Sequence, residues 1–271
     1  MRIALTIAGS DSIGGAGIQA DLKTFAALGV YGASVITAVT SQNTTGVSDY
    51  VALSADAVRS QIEQVARDVT ISAVKTGMLA TVDIVEAVAE TAGRLSLQNL
   101  VVDPVTAASP QSERTAGPRT LLAPKAVSVL RARLLPVASV VTPNAPEAAA
   151  LAGITVETLS AAREAAKRIL DFGPGAVVIK GGHLKGPEAI DLLLHAGRFT
   201  EFAAPRSERG EVHGTGCTFA SAIAAYLALG DDIPTAVERA KAYVTGAIRH
   251  AFPIGHGALV LDHLWNRSAP R

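Results

Sequence analysis

The sequence predicts an α/β fold with a mainly parallel central sheet and helices on both faces. Two observations carry this. Short β-branched runs stay apolar on consecutive positions, as strands buried on both faces do. Between them, apolar residues recur at three- and four-residue spacing, as on helices packed along one side. Such alternation gives parallel neighbours joined by crossovers.

The buried runs, in order, are Ile3–Ala8, Ser34–Val39, Ala73–Lys75, Leu100–Val102, Val140–Thr142 and Ala176–Ile179. The intervening helices are marked by Ile18, Leu22 and Phe25, by Val58, Ile62 and Val65, and by Ile84, Val85, Val88 and Leu95. Phe219, Ile223, Tyr226 and Leu227 mark another. Ile190–Leu194 and Arg198–Phe202 flank His195-Ala-Gly197 and read as a hairpin at one sheet edge. Ala107–Pro118, rich in Ser, Pro, Gly and charge, reads as a mobile loop. No repeat or linker divides the 271 residues, so one domain over 1–271 is expected.

Lys plus Arg equals Asp plus Glu, at 24 each, so a basic nucleic-acid surface is not indicated. Cys217 is the only cysteine, which rules out an internal disulfide and disfavours a thiolate-rich zinc site. The apolar run near the N-terminus is too short for a signal-peptide core, and no run approaches the ~20 residues of a membrane span. A soluble cytoplasmic protein is expected.

Open α/β sheets bind ligands at the carboxyl ends of their strands. Here those ends are Gly9-Ser-Asp-Ser-Ile-Gly-Gly-Ala-Gly17, Thr40-Ser-Gln-Asn-Thr44, Thr76-Gly-Met78, Asp103-Pro104, Thr142-Pro-Asn-Ala-Pro-Glu147 and Lys180-Gly-Gly-His183. Polar residues and glycines gather at almost every one. The first loop is glycine-rich, but lacks the Gly-Lys-Ser/Thr of a Walker A motif and the G-x-G-x-x-G spacing of a dinucleotide site.

Val212–Ser221, reading VHGTGCTFAS, has glycines that let successive N–H groups share one concavity, and a helix follows at once. Its positive end suits a phosphate or a developing alkoxide. On glycine spacing alone an ordinary strand-to-helix turn fits as well. Cys217 at this helix start is expected to have a lowered pKa, so it could accept a proton or hold a substrate hydroxyl. Its bland alternative is a small buried hydrophobe.

Asp103 and Glu147 both follow strands, and hard carboxylate oxygens there suit a magnesium ion that bridges nucleotide phosphates. For Glu147 the rival reading is helix-start chemistry with Asn144 as N-cap. Lys180 ends a buried run and could meet a phosphate as a point charge. Gln42 carries donors and an acceptor on one planar group, which fits the edge of a heteroaromatic ring, or else is a surface-loop amide. His183, His213 and Gly255-His-Gly257 have no metal spacing and read as structural or rim residues.

These residues match a known family. The chain resembles the hydroxymethylpyrimidine and phosphomethylpyrimidine kinases of thiamin biosynthesis, in the ribokinase-like superfamily. The carrying segments are Ala8-Gly-Ser-Asp-Ser-Ile-Gly-Gly-Ala-Gly-Ile-Gln-Ala-Asp-Leu-Lys23, Ser41-Gln-Asn-Thr44, Lys75-Thr-Gly-Met78, Val101-Val-Asp-Pro-Val105, Thr142-Pro-Asn144 with Glu147, Lys180-Gly-Gly-His183 and His213-Gly-Thr-Gly-Cys217. The resemblance implies a three-layer α/β/α sandwich. It implies transfer of the ATP γ-phosphoryl group to 4-amino-5-hydroxymethyl-2-methylpyrimidine and then to its monophosphate. Carried across by motif, Gln42, Gly9, Asp21 and Met78 would bind the substrate. Gly214, Thr215, Gly216 and Cys217 would form the catalytic anion hole. Lys180, Asn144 and Asp103 would face the nucleotide, and Glu147 and Asp103 the magnesium ion. A homodimer is implied too.

One segment departs from the family pattern. Thr106-Ala-Ala-Ser-Pro-Gln-Ser-Glu-Arg-Thr-Ala-Gly117 is longer than usual and lacks the customary Lys, whose charge Arg114 could replace. Two alternatives follow: a pyridoxal kinase of the same superfamily, or a pyrimidine-binding protein with impaired transfer. A dinucleotide-dependent oxidoreductase is disfavoured by the first loop's spacing.

Overall fold

The computed structural model of the chain describes residues 1–106, 121, 122, 124–184, 186, 188–207 and 212–266. Positions 107–117 of the atypical segment, with Arg114, and the mobile loop expected over 107–118 lie outside them. The elements run β1 (Ile3–Ser10), α1 (Gly17–Ala27), β2 (Tyr31–Asn43), β3 (Gly46–Ala52), α2 (Ala55–Asp68), β4 (Ala73–Thr76), α3 (Val82–Arg94) and β5 (Leu100–Val102). Then come α4 (Pro124–Val129), β6 (Val140–Val141), α5 (Ala145–Ala152), α6 (Leu159–Leu170), β7 (Ala176–Ile179), β8 (Glu188–His195) and β9 (Arg198–Pro205). The chain continues with β10 (Val212–His213), α7 (Thr215–Leu229), α8 (Ile233–Arg249) and β11 (Leu259–Val260).

Among the described residues, nine strands form one sheet in the order β3-β2-β1-β4-β5-β6-β7-β8-β9. The middle is parallel from β2 through β7. The expected hairpin at the edge is present: β8 and β9 pair antiparallel, closing at His195 and Arg198.

Alternation within each strand divides the core between the two faces. Leu5 and Ile7 of β1, and Leu100 and Val102 of β5, pack with α2, α3, α5 and α6. Ala4 and Val101 point the other way, toward α7 and α8. Every one of these side chains is fully buried. Removing each from water is worth about 1.5–3 kcal/mol for a Val, Leu or Ile. Several helices start where the sequence places a capping oxygen: Ser54, Thr81, Thr158 and Asp232 each accept an N–H of the first turn.

The sequence reading differs at β2. The expected strand stops at Val39, whereas β2 continues to Asn43 and turns back as β3. Pairing with β3, with a register shift between Ser41 and Gln42, satisfies the backbone of this polar stretch. Gln42 therefore sits on a strand, not in a surface loop.

Candidate active site

A cleft of about 1200 Å³ runs along the carboxyl ends of the central strands. It is the place that topology dictates, because the crossovers leave those ends open. The β1–α1 loop and the end of β2 line one part, and β8, β9 and α8 line the other. The start of α7 lies on the same wall. Of the residues expected from sequence, Gly9, Gln42, Met78, Asp103, Asn144, Glu147, Lys180 and Gly214–Cys217 all line this cleft. Gly9 and Met78 touch one another, since a Cβ on Gly9 would lie 3.2 Å from Met78 Sδ.

The turn that opens α7 depends on Gly214. Its φ is 82°, and a Cβ there would lie 1.8 Å from the Gly15 carbonyl oxygen. The first loop and the anion turn are thus packed backbone to backbone, which only glycine allows. Thr218 N–H closes the first turn on Gly214 O at 2.9 Å. The N–H groups of Thr215, Gly216 and Cys217 precede that bond and have no acceptor within the helix. They make the positive end of a 15-residue helix.

Cys217 does not behave as the sequence suggests. It is half-buried at the cleft floor. Burial pushes its thiol up to about 11, Lys75 pulls the other way, and Asp21 and Asp103 add to the rise. Desolvation is the largest cause of the rise. At neutral pH the group is a thiol, so it is suited to holding a hydroxyl rather than to accepting its proton.

Lys180 follows β7 and reaches across β6 to β5. Its Nζ lies 2.7 Å from Asp103 Oδ1 and 3.6 Å from Glu147 Oε2. Burial opposes the charge on Lys180, but Asp103 and Glu147 outweigh it and hold its pKa above the usual lysine value. Burial drives Glu147 up to about 7, with Lys180 pulling down and Asp103 pushing up. A Cβ on Gly216 would sit 3.2 Å from Lys180 Nζ, so this cluster adjoins the anion turn. Glu147 also forms the capping box that its rival reading describes. Asn144 Oδ1 accepts from Glu147 N–H at 2.9 Å, and Glu147 Oε2 accepts from Asn144 N–H at 2.8 Å. Helix start and cleft wall coincide.

Among the described residues no group of three or more His, Cys, Asp or Glu could hold a metal by itself. Two carboxylates beside an anion turn fit a different arrangement, a hydrated magnesium ion shared with nucleotide phosphates.

Asp21 is a correction. It is fully buried and does not line the cleft. Its Oδ1 accepts from Ser221 Oγ at 2.6 Å and its Oδ2 from Thr6 Oγ1 at 2.6 Å. Lys75 Nζ donates to both oxygens at 2.9 Å. With every acceptor site engaged, Asp21 ties α1, β1, β4 and α7 together and does not reach a substrate.

Three features escaped the sequence reading. His213, which reads in sequence as a structural or rim residue, stands in the cleft between Asp11 and Gln42, with its side chain 12% exposed. Asp191 of β8 pairs with Lys241 of α8 at 3.0 Å and accepts from Gly181 N–H at 2.7 Å. A carboxylate among the apolar residues of Ile190–Leu194 was the available signal. Arg206, beyond β9, donates to the carbonyls of Gly181, Gly182, Leu184 and Gly186, holding the turn after Lys180.

Sheet order, anion turn and cleft together define a small-molecule kinase of the ribokinase-like α/β class. The chain belongs to the phosphomethylpyrimidine kinase family, whose model matches residues 11–262. It is 49% identical over 263 residues to the hydroxymethylpyrimidine/phosphomethylpyrimidine kinase of Streptomyces coelicolor, covering 97% of this chain and 94% of that one. It is 46% identical over 260 residues to the thiamine biosynthesis bifunctional protein ThiED of Geobacter sulfurreducens, covering 96% of this chain and 52% of that protein. The pyridoxal kinase of Staphylococcus aureus in complex with AMP-PCP and pyridoxal superposes with a TM-score of 0.89 at 36% identity, covering 99% and 96% of the two chains. Among the described residues no helix is long and apolar enough to cross a membrane.

Proposed function

We propose that the protein transfers the γ-phosphoryl group of ATP to the hydroxymethyl group of 4-amino-5-hydroxymethyl-2-methylpyrimidine, and then to the resulting monophosphate, in thiamin biosynthesis. One observation carries the reading beyond family membership. Gln42 Nε2 lies 2.8 Å from His213 Nε2, and His213 directly precedes the anion turn. An aromatic ring edge held by Gln42 would therefore set its hydroxymethyl group beside Gly214–Cys217, with Gly9 and Met78 enclosing the ring.

Phosphoryl transfer needs alignment and charge neutralisation more than covalent help. The substrate oxygen bonds to the γ-phosphorus while the bond to the departing ADP oxygen breaks, and the hydroxyl proton passes to an oxygen of the transferred phosphoryl group. The free N–H groups at the start of α7 and the ammonium of Lys180 would take up the charge on the transferring oxygens. Cys217 would hold the attacking hydroxyl. Asp103 and Glu147 would hold the waters of a magnesium ion, and Asn144 would keep Glu147 in place through the capping box. Magnesium, when bound, neutralises phosphate charge. The nucleotide would extend along α8 and β9, where Val244, Ile248 and Ala204 give the cleft an apolar wall.

A homodimer belongs to the same proposal. Val39 and Val51 face each other across β2 and β3, and both are more than half exposed, which suits a second copy.

A coupled ADP assay on hydroxymethylpyrimidine, its monophosphate and pyridoxal tests the reading. ADP release with both pyrimidines, at higher kcat/KM than with pyridoxal, is expected. Turnover of pyridoxal alone would refute it. Pyrimidine binding without ADP would leave a binding protein.

A further inference from the structure

The surroundings of Gln42 decide how its amide faces the substrate. This inference rests on the ring-binding role proposed above. Gln42 Nε2 lies 2.8 Å from His213 Nε2. A half-turn of the amide exchanges nitrogen and oxygen, and only the hydrogen bonds around it choose between the two.

Counting hydrogens makes the choice. Asp11 Oδ1 accepts from Ile13 N–H at 3.1 Å, and Oδ2 accepts from Ala16 N–H at 2.7 Å. Burial pushes the Asp11 carboxyl upward, but His213 and these two N–H groups outweigh it and hold it below its ordinary value. Asp11 is thus an ionised group, and an ionised carboxylate only accepts. His213 Nε2 lies 3.1 Å from Asp11 Oδ2, so that nitrogen must carry the hydrogen. An amide nitrogen 2.8 Å away would then face it donor to donor. Turned over, Gln42 Oε1 shares that one hydrogen with Asp11 Oδ2 in a three-centre bond.

Thr40 favours the same half-turn. Its single hydroxyl hydrogen goes to Ser10 O at 2.9 Å, which leaves an amide oxygen 3.4 Å away only a weak share of it. With the amide turned, Gln42 Nε2 donates to Thr40 Oγ1. One half-turn suits both. Neither neighbour can move aside instead. A Cβ on Gly15 would lie 2.5 Å from His213 Cδ2, so the imidazole rests on that backbone. Ser12 Oγ accepts from Gln42 N–H at 2.9 Å and pins the strand.

We propose that Asp11 and His213 are positioning residues that fix the Gln42 amide with its oxygen held by His213 and one N–H free in the cleft, so that the site selects a ring edge bearing a hydrogen-bond-accepting nitrogen. A ring with carbon in place of that nitrogen would leave the donor unpaired, which is the costly kind of mismatch.

The test has two arms on the full chain. In the first, ¹⁵N NMR of histidine-labelled protein reads which ring nitrogen of His213 bears hydrogen. A protonated Nε2 is expected, and a bare Nε2 overturns the proposal whether or not the protein is a pyrimidine kinase. In the second, Asp11→Asn and His213→Leu are compared on hydroxymethylpyrimidine and on its analogue with the ring nitrogen replaced by carbon. KM for the pyrimidine should rise about tenfold, the factor supplied by one ordinary hydrogen bond, with a smaller change in kcat. Discrimination against the analogue should fall with it. His213→Gln, which still offers a donor, should restore part of it. Either change should add little to Gln42→Ala, because coupled residues are non-additive. Full additivity, or equal losses on both compounds, overturns the proposal. A wild-type protein that phosphorylates neither compound contradicts the function, while the NMR arm still decides the orientation of Gln42.

Discussion

Two lysines of this protein each meet carboxylates at the end of a parallel strand, and they do opposite things. Lys75 and Asp21 are both fully buried, and their pairing is closed by Thr6 and Ser221. Lys180 and its partners Asp103 and Glu147 keep 14%, 2% and 7% of their side chains exposed, and all three line the cleft. The first cluster has no vacancy for a ligand. Its ions are balanced by one another, and it fastens α7 to the sheet from beneath. The second has one lysine between two acids, and Glu147 sits near its titration point at about 7. Of the two, only the second cluster is left open to the cleft by the topology.

The sharpest way to break the comparison is to delete the acid of the sealed pair. Asp21→Ala should cost about 3–5 kcal/mol of stability, because it leaves Lys75 buried without its partner. Chemical denaturation measures this. A loss below about 1 kcal/mol would mean that water reaches Lys75 and that the two clusters are alike.

Lys180→Met should show the reverse pattern. Transfer should slow about 10²–10³-fold, as when one preorganised charge donor is removed from a developing anion. Unfolding should shift much less than for Asp21→Ala, since Asp103 and Glu147 can take protons or water from the cleft. Steady-state kinetics and a melting curve on the same sample separate the two.

Smaller, and more specific, is the pH effect of Glu147. Its pKa is raised, so as pH falls through about 7 it gains a proton and loses its hold on magnesium waters. The rate at low magnesium should fall on that acid side. Added magnesium competes with the proton and should move the fall to lower pH. Glu147→Gln should flatten the limb and raise the magnesium requirement about tenfold, as loss of a supporting ligand does. An unaltered magnesium titration would leave Glu147 only its part in the capping box.

The sequence made the buried layer readable and the contacts between distant segments unreadable. Leu100–Val102 and Ala176–Ile179 are strands at the expected boundaries, because a strand buried on both faces must be apolar throughout. Gly46–Ala52 has an exposed, mixed pattern and gave no such signal, so β3 and the extension of β2 were missed. In the cleft, glycines and charges at strand ends located the site, but not which charges are sealed. Asp21 and Asp103 look equally functional in sequence. What separates them is that α1 turns Asp21 inward, under α7. His213 could not be assigned from spacing either, since its partners Gln42 and Asp11 lie 171 and 202 residues away in the chain. The thiol of Cys217 is hard to read for a related reason: a helix end is visible in sequence, and the burial that raises the thiol is not.

The central claim is that the open cluster and the anion turn serve transfer to a pyrimidine alcohol. Incubation with ATP, magnesium and 4-amino-5-hydroxymethyl-2-methylpyrimidine, with products resolved by mass, tests it most directly. The monophosphate should form first and then the diphosphate, with matching ADP. Unchanged pyrimidine beside efficient phosphorylation of pyridoxal would contradict it.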